Sequence, residues 1–544
     1  MQGASLALPY EQARQFKRTN RRGQWRDVAD DLSAEIFPQV SPSFRLRQGE
    51  TIFTIGSCFA RNIETNLADL GCIVPMLDFR LPSDEFGGSP HAAMNLFHPA
   101  AFRQTLEWAA GVYDRDGKVT WEDCARVAFD MGDDRWFDME IAPALPVAQA
   151  RFVERRQHIY DVVSSAFRCD CLMMTPGLIE AWRDLETGRY TYGPPYHRPL
   201  LQTPERWGME VLSYQRCLED LLAAIDTVRA RNPAANVLIT TSPVPMNLTF
   251  TGRDVTIANA YSKAVLRAVC DAVVLLRERI DYFPSYEMAT LSAPDRVWKS
   301  DRLHVSEAFI GKIVGHMLDN YFERTNDAAI NLQRGRVLLA DGDFAAAEEA
   351  ARKVLSQSPG LAEGGVLLGI ALAHQKRWEE AAQSLRRVLK DHPDRCDAHL
   401  HLARAYAGGR KLDRAVAELE KAIDCPEFSI SDFAKSRGIL RRLEIEEAVR
   451  IDQRLVERLP LHAVVGARLA EDLLRAGREA EALAELRRAA VLSHPPAAML
   501  VQLARMLLEI GENEEARARL IHALAEDPKN EEASALMDAL AGRA

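Results

Sequence analysis

Small residues recur at a nearly constant interval through the second half of the chain. Ala347, Ala381, Ala415, Ala448, Ala482 and Ala516 are separated by 34, 34, 33, 34 and 34 positions. Prolines return near the end of each unit, at Pro359, Pro393, Pro426, Pro460, Pro495 and Pro528. A second small position runs through Gly335, Gly369, Ala403, Ala470 and Ala504, with Leu338, Leu372, Tyr406 and Leu507 three residues later. After about Thr325 strand-like segments vanish and Ala, Leu, Glu and Arg dominate. A repeat of this length is one supersecondary unit. Small residues let two helices approach, and each pair buries its apolar face only by stacking on the next. The pattern predicts an all-α solenoid with a concave face, in which the unit at 428–460 is the most divergent.

The interval and the small positions resemble the tetratricopeptide repeat, a helix pair of 34 residues. The resemblance implies about six repeats over 326–544 and a protein partner held on the concave face. A solenoid that only stabilises or oligomerises the chain is the alternative.

Composition narrows the rest. The chain has 544 residues, more than one domain's worth, and 47% apolar residues, enough for real cores. A net charge of −10 lacks the basic footprint of a nucleic-acid binder. The nine cysteines are scattered without Cys-x-x-Cys spacing, and Cys169 and Cys171 sit in an apolar run, so reduced core thiols are expected. No signal-peptide core and no run of about 18 apolar residues is present. A cytoplasmic location without a membrane span follows as the expectation. No His, Asp and Glu grouping has metal-ligand spacing, so no metal or cofactor is expected.

The N-terminal half alternates strands and helices. Strands are expected at Thr51–Ile55, Cys72–Met76, Cys169–Thr175, Asn236–Thr241 and Arg279–Phe283. Helices are expected at Phe59–Leu70, His98–Gly111, Ala150–Phe167, Pro204–Arg231, Asp254–Leu276 and Val305–Glu323. Such alternation predicts a three-layer α/β/α domain over 49–325 around a parallel sheet of about five strands. Residues 1–48 form a polar lead-in that wraps it. Two long stretches interrupt the pattern, Asp78–Leu96 and Leu185–Thr203, the second carrying Tyr190, Tyr192, Tyr196 and His197.

Ser57 follows the first strand and Gly56, at the start of a helix. Open α/β sheets place reactive groups at the carboxyl ends of their strands. A serine is a weak nucleophile without a base. Among thirteen histidines, His304 stands apart, three residues after Asp301 and just before the closing helix, for which Ser306 is an N-cap signal. Asp301 would orient the imidazole and His304 would take the proton.

Gly56-Ser57-Cys58-Phe59-Ala60 resembles the motif after which the GSCFA family is named. That family looks like a branch of the SGNH, or GDSL-like, hydrolases, which use a flavodoxin-like sandwich, a serine after the first strand and an Asp-x-x-His near the domain end. Ser57, Asp301 and His304 match those positions. Thr175-Pro-Gly177-Leu-Ile-Glu180-Ala-Trp182 resembles a Thr-x-Gly-x-x-Glu-x-Trp block, and Ser242-Pro-Val-Pro245 a Ser-Pro-Val-Pro block. Asn95 matches an asparagine that follows the second strand. The resemblance covers roughly 45–325. It implies an esterase or acyltransferase acting on acyl esters of a carbohydrate or another small molecule. The backbone N–H groups of Ser57 and Gly177 and the Asn95 side chain would serve as oxyanion donors. Thr175, Glu180 and Trp182 would line the pocket, Trp182 one turn into a helix. The opening motif departs from the usual Gly-Asp-Ser, and no asparagine stands near Gly177. A ligand-binding scaffold without turnover is therefore the alternative.

Overall fold

The computed structural model describes residues 8–20, 22–25, 34–69, 71–86, 90–195, 199–323, 327–425, 428, 430–491, 497–527 and 529–541. The chain divides into two compact units, one spanning Met1–Leu81 and His91–Leu367, the other Pro82–Pro90 and Leu368–Ala544.

The strands of the first unit are β1 (Ile52–Gly56), β2 (Ala128–Asp130), β3 (Trp136–Asp138), β4 (Cys171–Thr175), β5 (Glu180–Asp184), β6 (Trp207–Val211), β7 (Asn236–Ile239) and β8 (Ile280–Tyr282). Its helices are α1 (Tyr10–Thr19), α2 (Cys58–Asp69), α3 (Pro99–Tyr113), α4 (Trp121–Ala125), α5 (Gln149–Val163), α6 (Tyr214–Arg229), α7 (Val255–Leu276), α8 (Ser285–Leu291), α9 (Pro294–Val297) and α10 (Glu307–Tyr321). A parallel sheet runs in the order β1-β4-β7-β8, in register from Ile52 opposite Cys171 to Gly56 opposite Thr175. Its strands read as continuous apolar runs because both faces are buried. Ile52, Cys171, Met173 and Leu238 pack with Phe59 and Ile63 of α2 and Phe309 and Ile313 of α10. Alternation turns Phe53, Ile55, Leu172, Met174, Val237 and Ile239 to the other face, where they are equally buried.

Three expectations need correction. Cys72–Met76 is not a strand, so the sheet has four strands and not about five. Ile73 makes a single bridge to Thr51, and Pro75, which has no N–H for a ladder, opens a short 3-10 turn, Pro75–Asp78. The helix expected over Pro204–Arg231 is a 3-10 turn (Pro204–Arg206), then β6, then α6. Ser213 starts α6 by accepting a hydrogen bond from the Arg216 N–H at 3.2 Å. Trp182 lies on a strand rather than a helix, because β5 pairs antiparallel with β6, Trp182 opposite Met209. Of the aromatic loop 185–203, Tyr190 bridges to Arg183, whereas Tyr196 and His197 lie outside the described residues.

The lead-in follows the closing helix. The Leu46 N–H donates to Tyr321 O at 2.7 Å, and the Glu323 N–H to Leu46 O at 3.0 Å. The residues around 325, read as a domain boundary, fall outside the described residues. The first helix beyond them, α11 (Asp327–Ala340), belongs to the first unit. A Cβ added at Gly311 of α10 would stand 2.6 Å from a Val337 methyl, so glycine permits this approach.

The helices pair at the expected period: α11 with α12 (Phe344–Gln357), α13 (Ala362–His374) with α14 (Trp378–Asp391), α15 (Cys396–Gly408) with α16 (Leu412–Asp424), α17 (Ile430–Leu440) with α18 (Ile445–Arg458), α19 (Ala463–Arg475) with α20 (Glu479–Val491), and α21 (Ala497–Glu509) with α22 (Asn513–Glu526), before a last helix α23 (Glu531–Ala541). The six repeat alanines, Ala347 through Ala516, are all buried. Pro426, Pro495 and Pro528 lie outside the described residues. Among the described residues no helix is long and apolar enough to cross a membrane.

Candidate active site

Ser57 sits at the carboxyl end of β1, where the sheet passes into α2. All five residues of β1 are buried. A Cβ at Gly56 would lie 2.7 Å from Thr175 Cβ and 2.8 Å from Thr175 O, so only glycine lets β1 end this close to β4. The Ser57 N–H then donates to Thr175 O at 3.3 Å. Its hydroxyl accepts from the Phe59 N–H at 3.4 Å, a capping bond for α2. The same hydroxyl donates to Ser242 Oγ at 3.0 Å. Ser57 is 3% exposed and Ser242 is fully buried.

The floor beneath the two serines is tied by a residue not singled out in the sequence. Lys263 on α7 is 1% exposed. Its Nζ donates to Gly177 O at 2.8 Å, Ser242 O at 2.8 Å and Val244 O at 2.6 Å. Three carbonyls match the three N–H groups of the charged amine. Burial opposes that charge and pushes the amine down to about 7. Cys58 feels the same environment: burial raises its thiol, and Lys263 partly offsets the rise. One clamp therefore fixes the loops after β4 and β7. Gly177 closes the arrangement, since a Cβ there would stand 3.4 Å from Ser242 Cβ and 3.5 Å from Ser57 Cβ. The available signal for Lys263 was a lysine on the face of α7 that carries the apolar residues Ala258, Val265 and Leu266.

Asp301 and His304 occupy a tight turn before α10. Trp298 bridges Val305, the Lys299 N–H donates to His304 O at 2.8 Å, and Arg302 takes φ +54°. Asp301 Oδ1 accepts from the N–H groups of Leu303 at 2.9 Å and His304 at 3.0 Å. Its Oδ2 lies 2.7 Å from His304 Nδ1. These bonds, first the His304 backbone N–H and then its ring, hold the carboxyl well below the usual carboxylate range. An ionised Asp301 keeps the proton on Nδ1 and leaves Nε2 as the basic nitrogen. Ser306 caps α10 through the Phe309 N–H at 3.3 Å. No hydrogen bond joins His304 to Ser57; the serine hydroxyl is turned to Ser242.

The other sequence-read residues divide. Asn95 is buried beside the end of β1, where the Leu96 N–H donates to Gly56 O at 2.9 Å, and its Oδ1 has no hydrogen-bond partner. The Thr175 hydroxyl is likewise buried without a partner. Unsatisfied buried polar atoms cost roughly 1–3 kcal/mol each, and two of them lie here beside the end of β1. The Gly177 N–H, read as an oxyanion donor, is taken by Phe97 O at 2.8 Å. Glu180 faces a loop rather than an open pocket: it accepts from the Thr249 hydroxyl at 2.5 Å and the Phe250 N–H at 2.9 Å. Trp182 packs edge-on against Phe250 with ring centroids 5.0 Å apart. Next to Asn95, His98 is buried and caps α3 by accepting from the Ala101 N–H at 3.1 Å. Burial pushes its imidazole down to about 4, so it is neutral.

Residues 51–317 match the model of the GSCFA family, and 338–395 and 372–425 match that of the tetratricopeptide repeat. No curated protein matches the chain. Similar solved structures include a tetratricopeptide repeat protein from Parabacteroides merdae (18% identity over 43% of this chain and 91% of that one, TM-score 0.27). Another is a thermophilic TPR protein from Thermus thermophilus (19% identity over 39% of this chain and 98% of that one, TM-score 0.22). A third is YrrB, a TPR protein with an unusual peptide-binding site (18% identity over 35% of this chain and 99% of that one, TM-score 0.26).

Proposed function

We propose that the GSCFA domain of this chain, followed by its tetratricopeptide repeats, is a serine-dependent ester hydrolase or acyltransferase. The observation that carries the reading is the paired Asp301 and His304 with Nε2 left free, in a domain whose buried Ser57 stands at a strand-to-helix turn. In the reaction Ser57 Oγ leaves its bond to Ser242 and attacks the ester carbonyl while His304 Nε2 takes its proton. The Asn95 side chain stabilises the developing oxyanion. The intermediate collapses as His304 returns the proton to the departing alcohol, leaving an acyl-Ser57 ester. Water then releases the acid, or a sugar hydroxyl accepts the acyl group. Acyl esters of carbohydrates are the favoured substrates, by likeness to SGNH hydrolases. The repeats recruit a protein partner to the domain. Nine cysteines, none in a disulfide among the described residues, fit a reducing, cytoplasmic setting.

A second reading is a non-catalytic binding module. It is favoured by the engagement of both nominated backbone donors, the Ser57 N–H by Thr175 O and the Gly177 N–H by Phe97 O. Hydrolysis of p-nitrophenyl acetate and acetylated sugars by the full chain separates the two. The enzyme reading expects turnover that Ser57→Ala removes; turnover unchanged by that substitution overturns the role of Ser57, and turnover absent on every ester supports the binding module.

A further inference from the structure

The lead-in has two parts built differently. Its later part is packed: the Ile36 N–H donates to Ser292 Oγ at 2.8 Å, and Leu46 is fully buried. Its first part is not. Every residue from Leu8 to Gln15 is exposed, and the first six residues of α1, Tyr10–Gln15, lie in that stretch. At about 3.6 residues per turn, six positions pass all the way round a helix, so no side of this stretch rests on the domain. Tyr10 is 74% exposed and Trp25 is 70% exposed, more than any other large apolar side chain among the described residues. A helix of ten residues is marginal in water unless one of its faces is packed. For α1 that packing has to come from a partner.

Charge and pattern identify the partner. From Tyr10 to Arg26 the sequence carries Arg14, Lys17, Arg18, Arg21, Arg22 and Arg26 against Glu11 alone, a net of +5 in a chain of −10. Glu11 stands 4.0 Å from Arg14 with both side chains open to solvent, so it offsets little of that charge. By their spacing Arg14, Lys17 and Arg18 fall on one face of α1, and Tyr10, Ala13 and Phe16 run beside it. Ala4, Leu6, Ala7, Leu8 and Pro9 precede the helix, so an apolar run leads into a cationic one. Such a helix is too short and too polar to span a bilayer. It has the composition of one that lies in the interface, with cations at anionic headgroups and aromatic rings at the boundary with the acyl chains. A nucleic acid would use the cations and leave the apolar run in water. An anionic bilayer uses both.

We propose that α1 and the segment that follows it to Arg26 are a docking surface for an anionic lipid bilayer, engaged through Arg14, Lys17 and Arg18 and through Tyr10 and Trp25. The proposal is independent of the ester chemistry and of the repeats. Co-sedimentation of the full-length protein with vesicles tests it, comparing phosphatidylcholine alone with phosphatidylcholine mixed with phosphatidylglycerol, and adding a single-stranded oligonucleotide as competitor. The protein is expected to bind the anionic vesicles at least about tenfold more tightly than the neutral ones, and less tightly as salt is raised. Arg14→Gln, Lys17→Gln and Arg18→Gln together are expected to weaken that binding at least about tenfold. Tyr10→Ser with Trp25→Ser, at two exposed positions, is expected to weaken it at least about threefold at an unchanged melting temperature. Equal binding to the two kinds of vesicle, binding to neither, or affinity unchanged in the charge variant overturns the proposal. Binding that the charge variant loses and the aromatic variant keeps, or an oligonucleotide that displaces the vesicles, overturns the bilayer in favour of a soluble polyanion.

Discussion

Ser57 and His304 would work on the same bond, yet they are built in opposite ways. Ser57 is 3% exposed, with its N–H on Thr175 O and its hydroxyl on Ser242, above a floor clamped by Lys263. The His304 and Asp301 side chains are 51% and 47% exposed, on a turn held by their own hydrogen bonds. The serine end is fixed by tertiary packing and the histidine end by local geometry. Substitutions at the histidine end should therefore change chemistry without stability, and substitutions in the floor should change stability first.

The largest effect is expected at the exposed end. His304→Ala and Asp301→Asn should each lower kcat by roughly 10²–10⁴, about 3–5 kcal/mol of barrier, with the melting temperature within about a degree of wild type. Ester kinetics and thermal melts on the same samples check both halves; unaltered kcat would break the assignment. In the floor, Lys263→Met leaves three carbonyls without their donor and should lower the unfolding free energy by about 3 kcal/mol in urea titrations. Wild-type stability in that variant would show that the loops after β4 and β7 hold themselves.

His98 sharpens the contrast through pH. Its folded value, about 4, lies below the ordinary 6.5, so the unfolded chain binds the extra proton between them. The stability contributed by neutral His98 is present above pH 6.5 and lost as pH falls to 4, by up to about 3 kcal/mol. His98→Asn keeps a capping side chain and should flatten that part of the urea stability–pH curve; an unchanged acid limb would place its cause elsewhere. Ser242→Ala should have the smallest effect, about 1 kcal/mol of stability and less than about a tenfold change in kcat. A larger loss of kcat would make Ser242 part of the proton path.

What was legible in the sequence follows the same division. Gly56-Ser57 at a strand end and Asp301-x-x-His304 before a capped helix are local patterns, and each kept its local geometry. The repeat alanines were legible because one packing requirement returns at each unit, and all six are buried. The floor was not legible. Lys263 ties Gly177, Ser242 and Val244 by reaching their three carbonyls from α7, and a carbonyl carries no sequence signal. Short elements failed for a different reason. In Cys72–Met76 the apolar run looked like a strand, but Pro75 cannot join a ladder. Over 180–184, five residues are too few to separate strand from helix, and the pairing with 207–211 decides.

The central claim is that Ser57 is a working nucleophile despite its bond to Ser242. Intact-mass measurement of the full chain after exposure to a fluorophosphonate tests it directly. A single adduct on wild type, mapped to Ser57 and absent from Ser57→Ala, is the predicted result. Equal labelling of both proteins, or a wild-type chain that takes up no label, would contradict it.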